Sequence, residues 1–448
     1  MISVCIAALA FVPLSTALER LGPPGRAGNS DRFRHNGIID PERVAAVTAR
    51  KQGLAAPSDL SSPTEAPTGF DDLTNGFDEQ GPAFETINED SVVPLRSFND
   101  NRFIFEEVEA ISDGLGPTYN AQSCRECHQN VVTGGASQVV ELRTGRVVDG
   151  QFFESLGGSL LHSRSIHPDM QERGDFNDRV RAFRLATNTL GGGFVEAISN
   201  QTLLDIRDKQ PAAMRGMAVP VPVLESNAGA RIGRFGWKSQ HASLESFSAD
   251  AYLNEMGITS PLFPRENTST GRDVAEYDPV ADPEDDGIDI VAFANFMRST
   301  KAPSRGPIGT SELLGELVFH YVGCGTCHTA SIITAAPGMV VNAGAFMVPP
   351  ALGNKVIHPF SDFLLHDIGT GDGIPVLPGA EYVSTTNQMR TAPLWGLRTR
   401  NRLMHDGQSL TVQDAVLRHG GQAAGVTAFV LSIPSVYQSA LLSFLNSL

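Results

Sequence analysis

The chain has 448 residues, too many for one ordinary domain and enough for two or three that each bury a core. With 41% hydrophobic and 19% charged residues it has the composition of a globular protein, which excludes a disordered or largely membrane-embedded chain. A formal charge of −16 argues against nucleic acid and anionic membrane surfaces as partners.

In chain order, residues 2–18 carry no charge, and Ser15-Thr16-Ala17 offers small side chains for signal-peptidase cleavage. Residues 1–17 are therefore read as a signal peptide, although a positive n-region is missing. Cys5 lies too near the start to follow the apolar stretch of a lipoprotein signal. No later apolar run approaches membrane length, so no integral membrane segment is expected. Residues 18–95 are polar and rich in Gly, Pro, Asp and Asn, and read as an extended arm with one short helix at 41–51. A helix is expected over 102–111, ended by Gly114-Leu115-Gly116-Pro117.

Cys124-Arg125-Glu126-Cys127-His128 follows, and Cys324-Gly325-Thr326-Cys327-His328 repeats its pattern 200 positions later (324 − 124). Two thiols three positions apart can add across the two vinyl groups of a haem, and the adjoining histidine can ligate its iron. Four of the five cysteines fall in these motifs. A zinc ribbon would keep its two pairs about 15–20 residues apart, and a thioredoxin-like dithiol would sit in a βαβ pattern that neither motif has. Two covalent c-type haems are therefore predicted, on His128 and His328. Such attachment, with the export segment, points to the bacterial periplasm.

Beyond His128, residues 134–150 read as a glycine-rich loop and hairpin. His162 and His167 follow in a loop, where each is either a sixth haem ligand or an exposed or hydrogen-bonded side chain. Helices are expected at 200–209 and 243–256, with Arg234-Phe235-Gly236-Trp237-Lys238 between them carrying one of two tryptophans. The acidic stretch 278–287 holds Asp282, Glu284 and Asp286 but lacks a calcium loop's closing bidentate Glu, and reads as a solvated linker. A helix at 288–297 precedes one at 311–321, whose Leu313, Leu314, Leu317, Val318 and Tyr321 share a face. Residues 335–386 read mostly as loop. Thr411 can cap a short helix in which Val412, Ala415, Val416 and His419 fall at i, i+3, i+4 and i+7. That spacing turns His419 inward, to a haem iron or to a backbone carbonyl. The closing helix is amphipathic through Tyr437, Ala440, Leu441, Phe444, Leu445 and Leu448, and is expected to pack on the helix before Cys324.

With these motifs, several stretches resemble one family: Glu65-Ala66-Pro67-Thr68-Gly69-Phe70, Asp113-Gly114-Leu115-Gly116-Pro117, Gly233 to Lys238, and Met256-Gly257-Ile258-Thr259. Phe360-Ser361-Asp362, Leu365-His366-Asp367, and Arg390-Thr391-Ala392-Pro393-Leu394-Trp395-Gly396-Leu397 running into His405-Asp406-Gly407 complete the match. From about residue 60 onward the chain resembles the di-haem oxidoreductases, within the superfamily of bacterial di-haem cytochrome c peroxidases and MauG enzymes.

The resemblance implies a mainly α fold of two cytochrome-c-like haem domains with long ordered loops, placed at 96–300 and 301–448. It implies that Trp237 carries electrons between the haems, where the residues alone read as a packed core aromatic. The superfamily sets the distal ligand of the C-terminal haem a dozen residues after the His-x-Gly segment. Twelve on from Gly407 is His419, which gives haem 2 a bis-histidine pair with His328. Haem 1 is then the open one. Glu255, two residues nearer to the tryptophan than the family pattern has it, is the implied distal acid, against the plain reading of an exposed helix carboxylate. The family's inter-haem calcium is not carried over, because Arg400 and Arg402 stand where its ligands should be; they could pair with haem propionates instead. The implied activity is reduction of hydrogen peroxide at haem 1, with electrons from a small periplasmic donor. The alternatives are a MauG-like oxidase of a protein or small organic substrate, and an electron-transfer cytochrome with both haems six-coordinate.

Overall fold

The computed structural model describes residues 62–77, 97–226, 229–268 and 270–448. The signal peptide and the helix expected at 41–51 lie outside the described residues, as does most of the arm. Strand β1 (Thr64–Glu65) opens the described chain, and helix α1 (Ser97–Glu106) leads towards α2 (Cys124–Cys127), the turn of the first cysteine motif. Then come β2 (Val140–Val148), β3 (Gln151–Glu154), β4 (Leu160–Leu161) and β5 (Val180–Leu185). Helices α3 (Asn200–Lys209), α4 (Leu244–Ala251) and α5 (Ile288–Ser299) follow, and α6 (Thr310–Val322) runs into the second motif. Beyond it lie β6 (Ile332–Ile333), β7 (Lys355–Ile357), β8 (Leu365–His366), β9 (Met389–Arg390), α7 (Val412–Leu417), α8 (Ala424–Ser432) and α9 (Ser435–Leu445).

A mainly α fold does not hold. The chain is 33% helix and 17% strand, with several small sheets. The largest has β2 paired antiparallel with β3, β4 and β5, in registers such as Gly145↔Glu154 and Val140↔Leu185. A second joins β1 to β7 in parallel, Thr64 opposite Lys355, with β6 antiparallel on the other side. The hairpin expected within 134–150 lies further on, β2 turning into β3 through Asp149 and Gly150, and the other partners come from distant stretches of only two to six residues. Strands that short show no period until something pairs with them.

Two helix pairs frame the cysteine motifs: α1 packs on α5, and α6 packs on α9 as its apolar face requires. Each pair encloses an aromatic cluster. Phe105 lies 4.7 Å from Phe296 and edge-on to Phe293 at 6.1 Å. Phe319 lies 5.2 Å from Phe444 and 5.9 Å from Phe360. At the α6/α9 crossing stands Gly315, where a Cβ would fall 1.9 Å from the Ala440 carbonyl oxygen. Only a residue without a side chain permits that approach, which justifies the cost of glycine inside a helix.

Helix α1 starts and ends earlier than the expected 102–111, because the apolar Phe98, Ile104 and Phe105 that face the core lie towards its start, while Val108 and Ile111 are exposed. The helix expected at 243–256 is α-helical to Ala251 and widens into a π turn over Tyr252–Met256, closed by Gly257 in the left-handed region. No helix among the described residues is long and apolar enough to cross a membrane.

Candidate functional site

Both cysteine motifs fold into the same turn. Ser123 caps α2 by accepting from the Glu126 amide at 3.3 Å, and Gly323, at φ 104°, ends α6 one residue before Cys324. In each turn the histidine amide donates to the carbonyl of the first cysteine at 3.0 Å, His128 to Cys124 and His328 to Cys324. Two cysteines and an imidazole are thereby presented together. A phenylalanine from the preceding helix packs on each imidazole at nearly the same geometry: Phe105 to His128 at 6.2 Å and 60°, Phe319 to His328 at 6.1 Å and 58°.

All four cysteines are free. Burial, with smaller contributions from nearby acids, pushes Cys127 up to about 12, and burial pushes Cys324 to about the same value. Cys124 is raised further by the same causes, burial first and Glu109 next. A working redox dithiol is favoured by the opposite shift.

Around the second motif lies a largely apolar cavity of about 1580 Å³, counted to its open mouth. Cys324, Cys327, His328 and Trp237 line it, and His419 enters from the end of α7. The rings of His328 and His419 are 6.4 Å apart, centre to centre. Two imidazoles bound to one metal at about 2 Å each put their ring centres roughly 6 Å apart. Each Nδ1 is taken by a carbonyl, His328 by Phe360 at 2.9 Å and His419 by Ala415 at 2.7 Å, which leaves both Nε2 atoms for a metal. Burial, then the neighbouring His419, holds His328 down at about 4, and burial lowers His419 as well. Neutral imidazole is the ligand form. The donor set, the apolar walls and the ring spacing fit a haem.

Arg390, Arg400 and Arg402 also line this cavity. Burial lowers Arg400 to about 10, and its Nε has no hydrogen-bond partner among the described residues. Arg390 is lowered to about 10, by burial and then by the charge of Arg400. Two such cations side by side call for an anion, and haem propionates supply that chemistry. Arg390 lay inside a quoted motif but had not been singled out. Asp362 and His366 form a second buried pair, Oδ2 to Nε2 at 2.8 Å, and His366 Nδ1 lies 3.7 Å from Cys327 Sγ.

Trp237 is half-buried and donates its indole N–H to the Leu185 carbonyl at 2.6 Å. Its ring meets His405 edge-on at 6.2 Å. Leu185 is two residues from Thr187, whose backbone acts on His128 together with that of Gly135. Trp237 thus spans from the second cavity to the strand end beside the first motif.

At that first motif, no imidazole faces His128 among the described residues. His162 is buried with both nitrogens engaged, Nδ1 by Glu172 at 2.9 Å and Nε2 by the Asn254 carbonyl at 2.8 Å. His167 is exposed, accepts from the Asp169 amide and lies against Tyr277, ring centres 4.7 Å apart and tilted by 36°. Glu255 is instead close: its charge and that of Glu141 act on the Cys127 thiol. It is not an exposed helix carboxylate. Asn120 donates to it at 2.9 Å, and burial, then Glu141, raises it well above the usual carboxylate range. Glu141 and Arg143 were missed, since an acid and a base on an alternating strand carry no local signal of a site.

This assembly is that of a haem-binding oxidoreductase. The chain belongs to the family described as "Di-haem oxidoreductase, putative peroxidase", whose pattern matches residues 161–448. The match leaves the Cys124 to His128 motif outside its span. Among solved structures, similarity is found to a hydrazine synthase of Kuenenia stuttgartiensis, at 14% identity and TM-score 0.37 over 88% of this chain and 100% of that one. A MauG-like protein associated with microbial copper homeostasis matches at 14% identity and TM-score 0.39, over 88% and 95%. The di-haem peroxidase BthA of Burkholderia thailandensis matches at 13% and 0.30, over 68% and 92%. A search of curated proteins finds no match.

Proposed function

We propose that this di-haem oxidoreductase is an exported peroxidase of the periplasm, with c-type haems attached at Cys124 and Cys127 and at Cys324 and Cys327. In this reading the haem domains span 96–300 and 301–448, each closed by one helix pair, α1 with α5 and α6 with α9. The observation that carries the proposal is an asymmetry. His328 is opposed by His419 at 6.4 Å, whereas among the described residues no imidazole stands opposite His128, and His162 and His167 are engaged by other partners.

Bound in these places, the two haems supply the redox chemistry, two electrons that with two protons turn hydrogen peroxide into two waters. The chain's own groups do the rest. His328 and His419 would hold the second haem through their free Nε2 atoms. Glu255, held by Asn120, moves a proton between the peroxide oxygens. Trp237 is fixed by its bond to Leu185 in a position to pass electrons, and Arg390, Arg400 and Arg402 neutralise propionates. A small electron-donor protein supplies the electrons, and hydrogen peroxide is the oxidant.

The test is low-temperature EPR with optical spectra of the ferric holoprotein, before and after stoichiometric peroxide. One high-spin and one low-spin haem, with a spectral change on peroxide, is expected. Two low-spin haems unmoved by peroxide, in both the resting and half-reduced protein, would replace the proposal with an electron carrier.

A further inference from the structure

We propose that Asp372 is a positioning residue for Trp237, fixing the indole by pairing with both cations that flank its hydrogen bond. The inference rests on the reading of Trp237 as the path between the haems.

That hydrogen bond runs from the Trp237 indole N–H to the Leu185 carbonyl at 2.6 Å. Lys238 directly follows the tryptophan, and Arg184 directly precedes the leucine at the end of β5. Both cations close on one carboxylate. Arg184 Nε donates to Asp372 Oδ2 at 2.8 Å, and Lys238 Nζ lies 3.4 Å from Oδ1. Asp372 thus ties the strand that carries the acceptor to the segment that carries the donor. Its own loop is fixed. The Ile374 amide donates to Oδ1 at 3.1 Å, and a Cβ on Gly371 would fall 2.4 Å from the Asn387 carbonyl oxygen. Thr370, in the same loop, accepts from Nε2 of His405. The ring of His405 meets the indole edge-on, and its carbonyl accepts from the Leu185 amide at 2.7 Å.

These charges are enclosed: the Asp372, Lys238 and Arg184 side chains are 0%, 1% and 7% exposed. Glu141, cross-strand from Arg184, is paired with Arg143 at 3.1 Å, and Asp372 is the carboxylate that Arg184 contacts. Removing three charges from water is expensive, and apolar residues of similar volume often hold a core as well or better. Stability alone is therefore a poor account of the network. What it adds is direction, because a charged hydrogen bond fixes an angle and a distance where apolar contacts let a ring slide. The tryptophan segment is held on its other side too. Lys238 Nζ donates to the Thr385 carbonyl at 2.9 Å and to that of Gln388, and the Arg390 amide donates to the Trp237 carbonyl at 2.7 Å. An electron path depends on the contact at each end of the indole, so the residue that fixes the indole sets the rate of transfer.

The experiment uses the holoprotein and its Asp372→Asn, Trp237→Phe and double variants, with haem content and circular dichroism to confirm folding. Ultraviolet resonance Raman reads the indole N–H hydrogen bond, and because the chain has two tryptophans, Trp237→Phe identifies which band is which. Stopped-flow after partial reduction reads transfer between the haems. D372N is expected to shift the Trp237 band towards a weaker hydrogen bond, to leave the Trp395 band in place, and to slow transfer towards the W237F rate. In the W237F background, adding D372N is expected to change the rate no further, since the carboxylate acts through the indole. An unshifted Trp237 band overturns the inference. Equal slowing by D372N in both backgrounds also overturns it, and leaves Asp372 a merely structural role. If D372N does not retain both haems, Lys238→Met is read in its place, with the same shift expected and the same refutation. Were W237F to transfer at the wild-type rate, the relay reading would fail, while the Raman band would still decide whether Asp372 positions the indole.

Discussion

Replacing Gly315 with alanine tests whether the region around the second cysteine motif depends on the close crossing of α6 and α9. The added methyl would lie 1.9 Å from the Ala440 carbonyl oxygen and 2.6 Å from Phe444 Cβ, where ordinary contact begins at 3.4 Å. The helices must therefore part by roughly 1.5 Å at the crossing (3.4 − 1.9), and a gap of that size forfeits much of the contact energy there. Overpacking of this kind costs about 1–3 kcal/mol, offset by about 0.5–1 kcal/mol from the better helix propensity of alanine. A net loss of about 1–2 kcal/mol is expected. The strain falls on Phe444 and Phe319, and Phe319 packs on His328, so Soret circular dichroism of haem 2 should report the same transition. Gly425, in α8, is the control, since nothing lies within 4 Å of its missing Cβ. There alanine should stabilise by about 0.4–1 kcal/mol. Urea titrations of both variants give the comparison. Equal signs for the two substitutions, or a G315A protein as stable as wild type, would refute the packing account.

Three other outcomes are expected. His419→Ala should open the second haem, converting the low-spin EPR signal to high-spin while both haems stay attached; a retained low-spin signal would mean that another ligand closes that iron. Trp237→Phe removes the N–H that bonds Leu185 and should slow transfer between the haems, measured by stopped-flow after partial reduction, with unchanged haem content; an unaltered rate rules out the relay. Asp362→Asn breaks a fully buried pair and should cost about 3–5 kcal/mol, as such pairs do. Burial works against the His366 charge, yet Asp362, with a smaller contribution from Cys327, raises it to about 10. The folded state then binds the extra proton, so the stabilisation is complete below the unfolded value near 6.5 and is lost as pH rises towards 10. Thioether formation removes the Cys327 contribution and moves the upper edge of that window down. Denaturation across pH 6–10 should show the gap between wild type and D362N closing at alkaline pH; a constant gap would contradict the assignment.

Much of the site was legible because its chemistry is local. The haem motifs lie within five consecutive residues each, and their turns follow from a cap at Ser123 and a left-handed Gly323. His419 was reachable from helical spacing on α7 and from its count after Gly407, and its ring does face His328. Glu255 was reachable only through resemblance, at a spacing that departs from the pattern.

The amino-acid sequence by itself determined the two Cys-x-x-Cys-His motifs and which helices bear apolar faces beside them, since both depend on residues a few positions apart. Only the tertiary structure decided the rest. It brought Asn120 against Glu255, 135 positions on (255 − 120), and turned His162 and His167 to other partners. It also built sheets from strands too short to show a period, such as Thr64 beside Lys355. The physical reason is common to all three: burial, hydrogen bonding and strand pairing are properties of neighbours in space, and short, distant segments leave no periodic trace of who those neighbours will be.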